Sequence, residues 1–215
     1  MSDKLPLGIQ KQVERGISIL KQGGIVAFPT DTVYGLGACV SIHQAVERVY
    51  AVKGRPRNKA LPLLLADTSQ ITKVAYPVPP IAWLLIDNFL PGALSIVLPR
   101  SNSVPDIITG GGATVAVRVP AHPVPVALAK GLGTPIVGTS ANLSGRPSPL
   151  TADEVNSQFG NKIDLVIDGG RCPGGKESTV VDVTGETPTI LREGAISREE
   201  IERVCGKTVF RRETK

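Results

Sequence analysis

Aromatic side chains are scarce in this sequence: four Phe, three Tyr and one Trp, 4% of 215 residues. A platform of rings for stacking bases, of the RNA-recognition-motif kind, is therefore not expected. There are only two histidines, His43 and His122, and three widely spaced cysteines, Cys39, Cys172 and Cys205. No Cys-x-x-Cys pair, His-x-x-x-His motif or carboxylate cluster accompanies them. That argues against a disulfide framework and against structural or catalytic zinc, and favours a reducing cytosol. No apolar run approaches the roughly 20 residues of a membrane span, and the N-terminus MSDKLPLG lacks a signal-peptide core. The expectation is a soluble cytoplasmic protein with no membrane partner.

What is present reads as globular. Hydrophobic residues make up 41% and charged residues 20%, with a net charge of +5. The length fits one α/β domain over residues 1–215, with a core from about 9 to 197 and a frayed basic tail over 206–215. The cationic excess suits an anionic partner, nucleic acid or a phosphorylated small molecule. General solubility accounts for the same excess equally well.

Ile9, Val13, Ile17 and Leu20 follow helical spacing, and Gly23-Gly24 supplies a stop. A short buried strand over Ile25–Phe28 ends at Pro29. Ser41 is expected to cap a helix running to Val52, closed by Gly54. Leu61–Leu65 reads as a strand that Pro62 confines to an edge or a bulge. A helix over Ile81–Phe89 stops at Pro91-Gly92. Strands follow at Leu94–Leu98, Thr114–Val119, Pro135–Val137 and Asp164–Ile167, with helices over about Pro125–Lys130 and Ala152–Phe159 between the last three. Ser178–Val183 and Thr189–Leu191 add strands, and Ser197-x-x-Glu200 is a capping box for a helix through Val204. Strands and helices mix without strict alternation, so the expected fold is one twisted, mixed open sheet flanked by helices, with a concave basic site.

Three local patterns fail on mechanics. Gly138-Thr-Ser140-Ala-Asn142 is one residue away from a nucleophile elbow, but both histidines precede Ser140, and His122 stands at a helix entry before Pro123. Gly170-Arg-Cys-Pro-Gly-Gly175-Lys176-Glu177 nearly matches a phosphate-binding P-loop, yet Glu177 replaces the hydroxyl that would meet magnesium and a strand follows where a helix should. Gly35-Leu-Gly37 is half of a dinucleotide fingerprint.

Small hydroxyls and fixed cations survive. Thr30-Asp-Thr32, Thr139-Ser140 with Ser144, and Ser178-Thr179 stand at strand ends, where turn chemistry alone would also place them. Lys53-Gly-Arg55-Pro-Arg57-Asn58-Lys59 sets four cations in seven residues with no acid among them, a natural partner for polyphosphate. A basic surface loop is the plainer reading. Arg118 interrupts Val115-Ala-Val-Arg-Val119, so alternation puts it with Ala116 and Pro120, opposite Val115, Val117 and Val119. A covered arginine needs a partner, best a carboxylate from the protein or from a ligand. Arg192 repeats the device.

Ala27-Phe-Pro-Thr-Asp-Thr-Val-Tyr-Gly-Leu-Gly37, Lys53-Gly-Arg-Pro56, Pro91-Gly92 with Leu94, Val117-Arg-Val-Pro120, Ser140-Ala-Asn-Leu-Ser-Gly145, Glu177-Ser-Thr-Val-Val-Asp182 and Leu191-Arg-Glu-Gly194 resemble the YrdC family, in its single-domain threonylcarbamoyl-AMP synthase (TsaC) type. The resemblance covers roughly Ile9–Ser197 in the family's order. It implies synthesis of L-threonylcarbamoyladenylate from L-threonine, bicarbonate and ATP, with release of pyrophosphate. A threonylcarbamoyl transferase complex then modifies the adenosine beside the anticodon of tRNA. It further implies that Thr32, Arg118, Gly138 and Ser178 bind threonine, Arg118 through the carboxylate. Arg55, Lys59, Thr114, Ser140, Ser148 and Arg192 would bind ATP, with Lys53 close by and Asn142 in the same loop. Magnesium comes with ATP, without metal ligands from the protein, and no covalent nucleophile is needed. Many members carry a histidine near threonine where this chain has Leu64; a subset is aliphatic there.

Rival readings are an RNA-binding member of the family without synthase activity, holding tRNA or double-stranded RNA on a basic surface, and the carbamoyl-transfer domain of hydrogenase maturation. The latter sits in a much longer chain with zinc-finger cysteines.

Overall fold

The computed structural model describes residues 5–210. In chain order the elements are α1 (Leu7–Lys21), β1 (Val26–Phe28), β2 (Gly35–Cys39), α2 (His43–Lys53), β3 (Leu63–Leu64), α3 (Ile71–Val74), α4 (Pro80–Phe89), β4 (Leu94–Pro99), α5 (Asp106–Thr109), β5 (Thr114–Arg118), α6 (Pro123–Leu132), β6 (Ile136–Ser140), α7 (Ala152–Phe159), β7 (Leu165–Val166), β8 (Thr179–Asp182), β9 (Thr189–Arg192), α8 (Arg198–Cys205) and β10 (Val209–Phe210). The strands form one sheet in the order β10-β9-β8-β4-β5-β3-β6-β2-β1-β7, with parallel and antiparallel neighbours. The mixed sheet with flanking helices is the expected fold class.

Alternation along the central strands sorts the two faces. Leu94, Ile96, Val115, Val117, Val119, Val137 and Val181 enter the larger core, together with residues of α2, α4, α7 and α8. The opposite face is covered on one side only: Val13 and Leu20 of α1 and Val124 and Leu128 of α6 pack there on Val26, Phe28, Leu64 and Ile136. Beyond those two helices, Ser95, Ala116, Arg118, Gly138 and Val180 of the same sheet line an open cavity. Partial cover by helices thus leaves a bare stretch of sheet as the floor of a site.

The structure revises several expectations. Gly35–Cys39, read as half a fingerprint, is strand β2, paired antiparallel with β1 and β6. Its glycines answer to the Phe28 ring, which a Cβ on Gly35 or Gly37 would approach to 2.7 Å. Ser41 does not cap α2; Ile42 is the N-cap residue, and the Ser41 hydroxyl lies 3.1 Å from Cys39 Sγ. The strand after Pro62 is central rather than an edge, pairing with β5 and β6. It begins one residue past the proline, whose carbonyl still accepts from Gly138 N–H at 2.9 Å. Within the tail expected to fray, Val209-Phe210 forms β10 against β9. Residues 211–215 lie outside the described residues. Among the described residues no helix is long and apolar enough to cross a membrane.

Candidate active site

The site is assembled from strand ends. After β1, the Thr30 hydroxyl donates to Val33 carbonyl at 2.6 Å and accepts from Thr32 N–H at 3.0 Å, closing a turn. That turn presents Asp31 and Thr32 to β5. There the Arg118 guanidinium meets Asp31 Oδ1 at 2.7 Å, Thr32 Oγ1 at 3.0 Å and the Gly92 carbonyl at 2.9 Å. Arg118 and Asp31 are both largely buried, 8% and 15% exposed in their side chains. Removing one partner of such a pair costs roughly 3–5 kcal/mol, because the other is left buried and uncompensated. The carboxylate partner that the strand position of Arg118 demanded is therefore Asp31, a residue the motif reading passed over.

A second cluster sits across the floor. Ser178 Oγ lies 2.9 Å from Ser95 Oγ, and the Ser178 carbonyl accepts from Arg192 Nε and Nη2 at 3.1 and 2.8 Å. Arg192 Nη1 pairs with Glu177 Oε2 at 2.7 Å, while the Ser148 hydroxyl donates to Glu177 Oε1 at 2.5 Å. This pair is partly solvated, with side chains 47% and 33% exposed, so its net worth is of order 0–1 kcal/mol. The two ion pairs of the site thus differ in kind, one fixed by burial and one readily exchanged.

The four cations of the Lys53–Lys59 loop separate. Lys53 turns inward and is 3% exposed; its ammonium donates to the Ser140 carbonyl at 2.5 Å and the Asn142 carbonyl at 2.7 Å. Burial pushes its pKa down to about 8, while the carbonyl acceptors suit the ammonium form. Arg57 turns away to Glu47 at 3.1 Å. Arg55 and Lys59 line the cavity, Arg55 bracing the loop through the Lys59 and Ala60 carbonyls at 3.1 and 2.7 Å.

Ser140 ends β6 with its hydroxyl donating to Asn142 Oδ1 at 2.5 Å. Neither histidine is its partner: His43 lies beside Glu47 on α2, and His122 Nδ1 accepts from Val124 N–H at 3.2 Å as the N-cap of α6. Asn142 itself is buried and holds the loop through the Leu143 and Arg146 carbonyls. Leu64, opposite Arg118 in the sheet, lies on Gly138; a Cβ there would come within 2.2 Å of the leucine side chain. The Tyr34 hydroxyl donates to the Gly170 carbonyl at 2.8 Å, tying the glycine-rich segment to the rim, and burial pushes this phenol up to about 12.

These residues surround a cavity of about 440 Å³. Of the residues singled out from sequence, Thr32, Arg118, Gly138, Ser178, Arg55, Lys59, Ser140 and Arg192 line it. Lys53, Asn142 and Ser148 stand behind that lining and hold parts of it. Thr114 is two residues along β5 from Ala116, on the same face, and does not reach the cavity wall. Four cations face one acid, Glu177, in the lining among the described residues, an arrangement suited to an anion with several charges.

The Sua5/YciO/YrdC family model, described as "Telomere recombination", matches residues 18–194. The threonylcarbamoyl-AMP synthase of Pyrococcus abyssi is 46% identical over 188 residues, 87% of this chain and 55% of that protein. The Bacillus subtilis threonylcarbamoyl-AMP synthase is 41% identical over 196 residues, 91% of this chain and 57% of its own. The chain thus spans about half the length of these curated relatives. The crystal structure of P. abyssi Sua5 complexed with L-threonine superimposes with a TM-score of 0.90 at 43% identity, over 93% of this chain and 58% of that one.

Proposed function

This chain belongs to the Sua5/YciO/YrdC family, and from that premise we propose that it makes L-threonylcarbamoyladenylate from L-threonine, bicarbonate and ATP, releasing pyrophosphate. The observation that carries the proposal is the single cavity in which a buried, pre-oriented Arg118 faces the more exposed cations Arg55, Lys59 and Arg192. Such a cavity can seat two anions side by side.

The carboxylate of threonine goes to Arg118, whose three contacts leave two N–H bonds of the guanidinium for it. Thr32 and Ser178 supply hydroxyls beside it, and Gly138, whose missing Cβ makes room for Leu64, lines the cavity next to them. Arg55, Lys59, Ser140 and Arg192 take the nucleotide, and Lys53, Asn142 and Ser148 hold its surroundings. Magnesium enters as part of the ATP substrate.

Threonine's amine and bicarbonate form a carbamate with loss of water. A carbamate oxygen then attacks the α-phosphorus, forming the mixed anhydride as the bond to pyrophosphate breaks. No protein nucleophile is required; the residues neutralise charge and align the two anions. The product is an activated acyl donor, and the family resemblance implies as its consumer a threonylcarbamoyl transferase that modifies the adenosine beside the anticodon of tRNA, in a cytoplasmic setting.

The Ser140→Ala variant separates this scheme from a covalent one. Loss of one neutral hydroxyl is expected to weaken ATP binding by about three- to tenfold and to leave measurable turnover. Calorimetric titration with ATP and a pyrophosphate-release assay check both. Total loss of turnover with ATP affinity intact would instead indicate a covalent serine intermediate.

A further inference from the structure

Glu177 has no place in the chemistry above, yet it is the one acid among the residues that line the cavity. Its carboxylate bridges Ser148 Oγ at 2.5 Å and Arg192 Nη1 at 2.7 Å, two groups assigned to the nucleotide and brought together from distant parts of the chain. An oxyanion that accepts from a hydroxyl with one oxygen and from a guanidinium with the other takes up the position of a phosphate group. A triphosphate can take the single Ser148 O–H, and the Arg192 Nη1 N–H now given to Glu177, only if the carboxylate leaves.

The surroundings permit that exchange. The Glu177 backbone is fixed, since its carbonyl accepts from Ala195 N–H at 2.9 Å and a Cβ on Gly194 would come within 2.2 Å of that oxygen. Only the side chain can move, and it is one-third exposed, so it can turn into water. Asp31 differs: it is buried with Arg118 and does not line the cavity, so it remains a permanent partner.

We propose that Glu177 is an affinity-setting residue, an internal anion that holds Arg192 and Ser148 ready in the empty site and is displaced by a polyphosphate. The inference rests on the reading of this cavity as a nucleotide site. Two properties follow. The empty site keeps its cations ordered, and binding is restricted to ligands with enough negative charge to compete with a carboxylate, which a nucleoside or a monoanion lacks.

Calorimetric titration of wild type, Glu177→Gln and Glu177→Ala with ATP and with inorganic triphosphate, and separately with threonine, tests it. Both variants are expected to bind ATP and triphosphate about three- to tenfold more tightly, because a like charge has left the site, with threonine affinity unchanged within about twofold. Equal or weaker polyphosphate binding by the variants overturns this inference alone, and assigns Glu177 a supporting role in the bound state. A matching change in threonine affinity overturns it too, since the effect is then not local. Failure of wild type and variants alike to bind ATP or triphosphate overturns both this inference and the proposed function.

Discussion

Replacing Arg118 with alanine is expected to lower threonine-dependent pyrophosphate release by two to three orders of magnitude. The residue offers the only buried guanidinium among the residues lining the cavity, pre-aimed by Asp31, Thr32 and the Gly92 carbonyl. Removing one partner of a desolvated charge pair costs roughly 2–5 kcal/mol, or about 30- to several-thousandfold in binding. The single variant also strands Asp31, so a lower melting temperature is expected with it. The double variant Arg118→Met with Asp31→Asn removes that stranded charge. It should recover most of the stability and none of the activity, whereas Arg118→Ala should leave ATP affinity within about twofold. Recovery of activity with stability would reduce Arg118 to a scaffold residue.

The second large effect is at Lys53. Its ammonium satisfies the Ser140 and Asn142 carbonyls from below the loop. Lys53→Met leaves those acceptors buried without a donor, at roughly 1–3 kcal/mol each. Unfolding in urea should show a loss of about 2–5 kcal/mol, and ATP binding should weaken at least tenfold as the loop relaxes. The pH dependence has a definite sign. The folded chain holds the Lys53 proton less tightly than the unfolded one, because burial takes its pKa from 10.5 to about 8. Between those values the unfolded state binds a proton that the folded state lacks, so the contribution of this group to stability rises with pH. Below about pH 8 both states are protonated and the slope vanishes. The stability difference between wild type and Lys53→Met should therefore widen as pH rises from 8 to 10. A difference that is flat or narrows over this range would mean that the ammonium stays charged in the loop.

The sequence made the regular elements legible where apolar spacing and caps were strong. Ala152–Phe159 and the capping box at Ser197 appear as expected, the latter with both reciprocal bonds formed. It concealed β2, because Gly-Leu-Gly-Ala-Cys lacks the branched and aromatic residues that signal a strand. Those glycines answer to Phe28 on the neighbouring strand, a tertiary demand. The four-residue helices α3 and α5 are too short for periodicity to register. In the site, alternation placed Arg118 on the open face correctly. It could not name Asp31, 87 positions away, as the partner, since that pairing depends on the β1 turn meeting β5. Glu177 was visible as the residue that spoiled a P-loop and as the start of the Glu177–Asp182 motif, with no role attached to it. The signal available was an acid beside Ser178 in a site otherwise rich in cations. In the same way the basic run looked like one polyphosphate patch, but only Arg55 and Lys59 face the cavity; Lys53 is spent on the Ser140 loop and Arg57 on Glu47.

The most direct test of the central claim is pyrophosphate release from ATP by the purified protein, with threonine and bicarbonate supplied together and each omitted in turn. The proposed chemistry predicts release only when both are present, since the attacking oxygen belongs to a carbamate built from the two. Release that is indifferent to threonine or to bicarbonate, or no release alongside intact ATP binding, would contradict it.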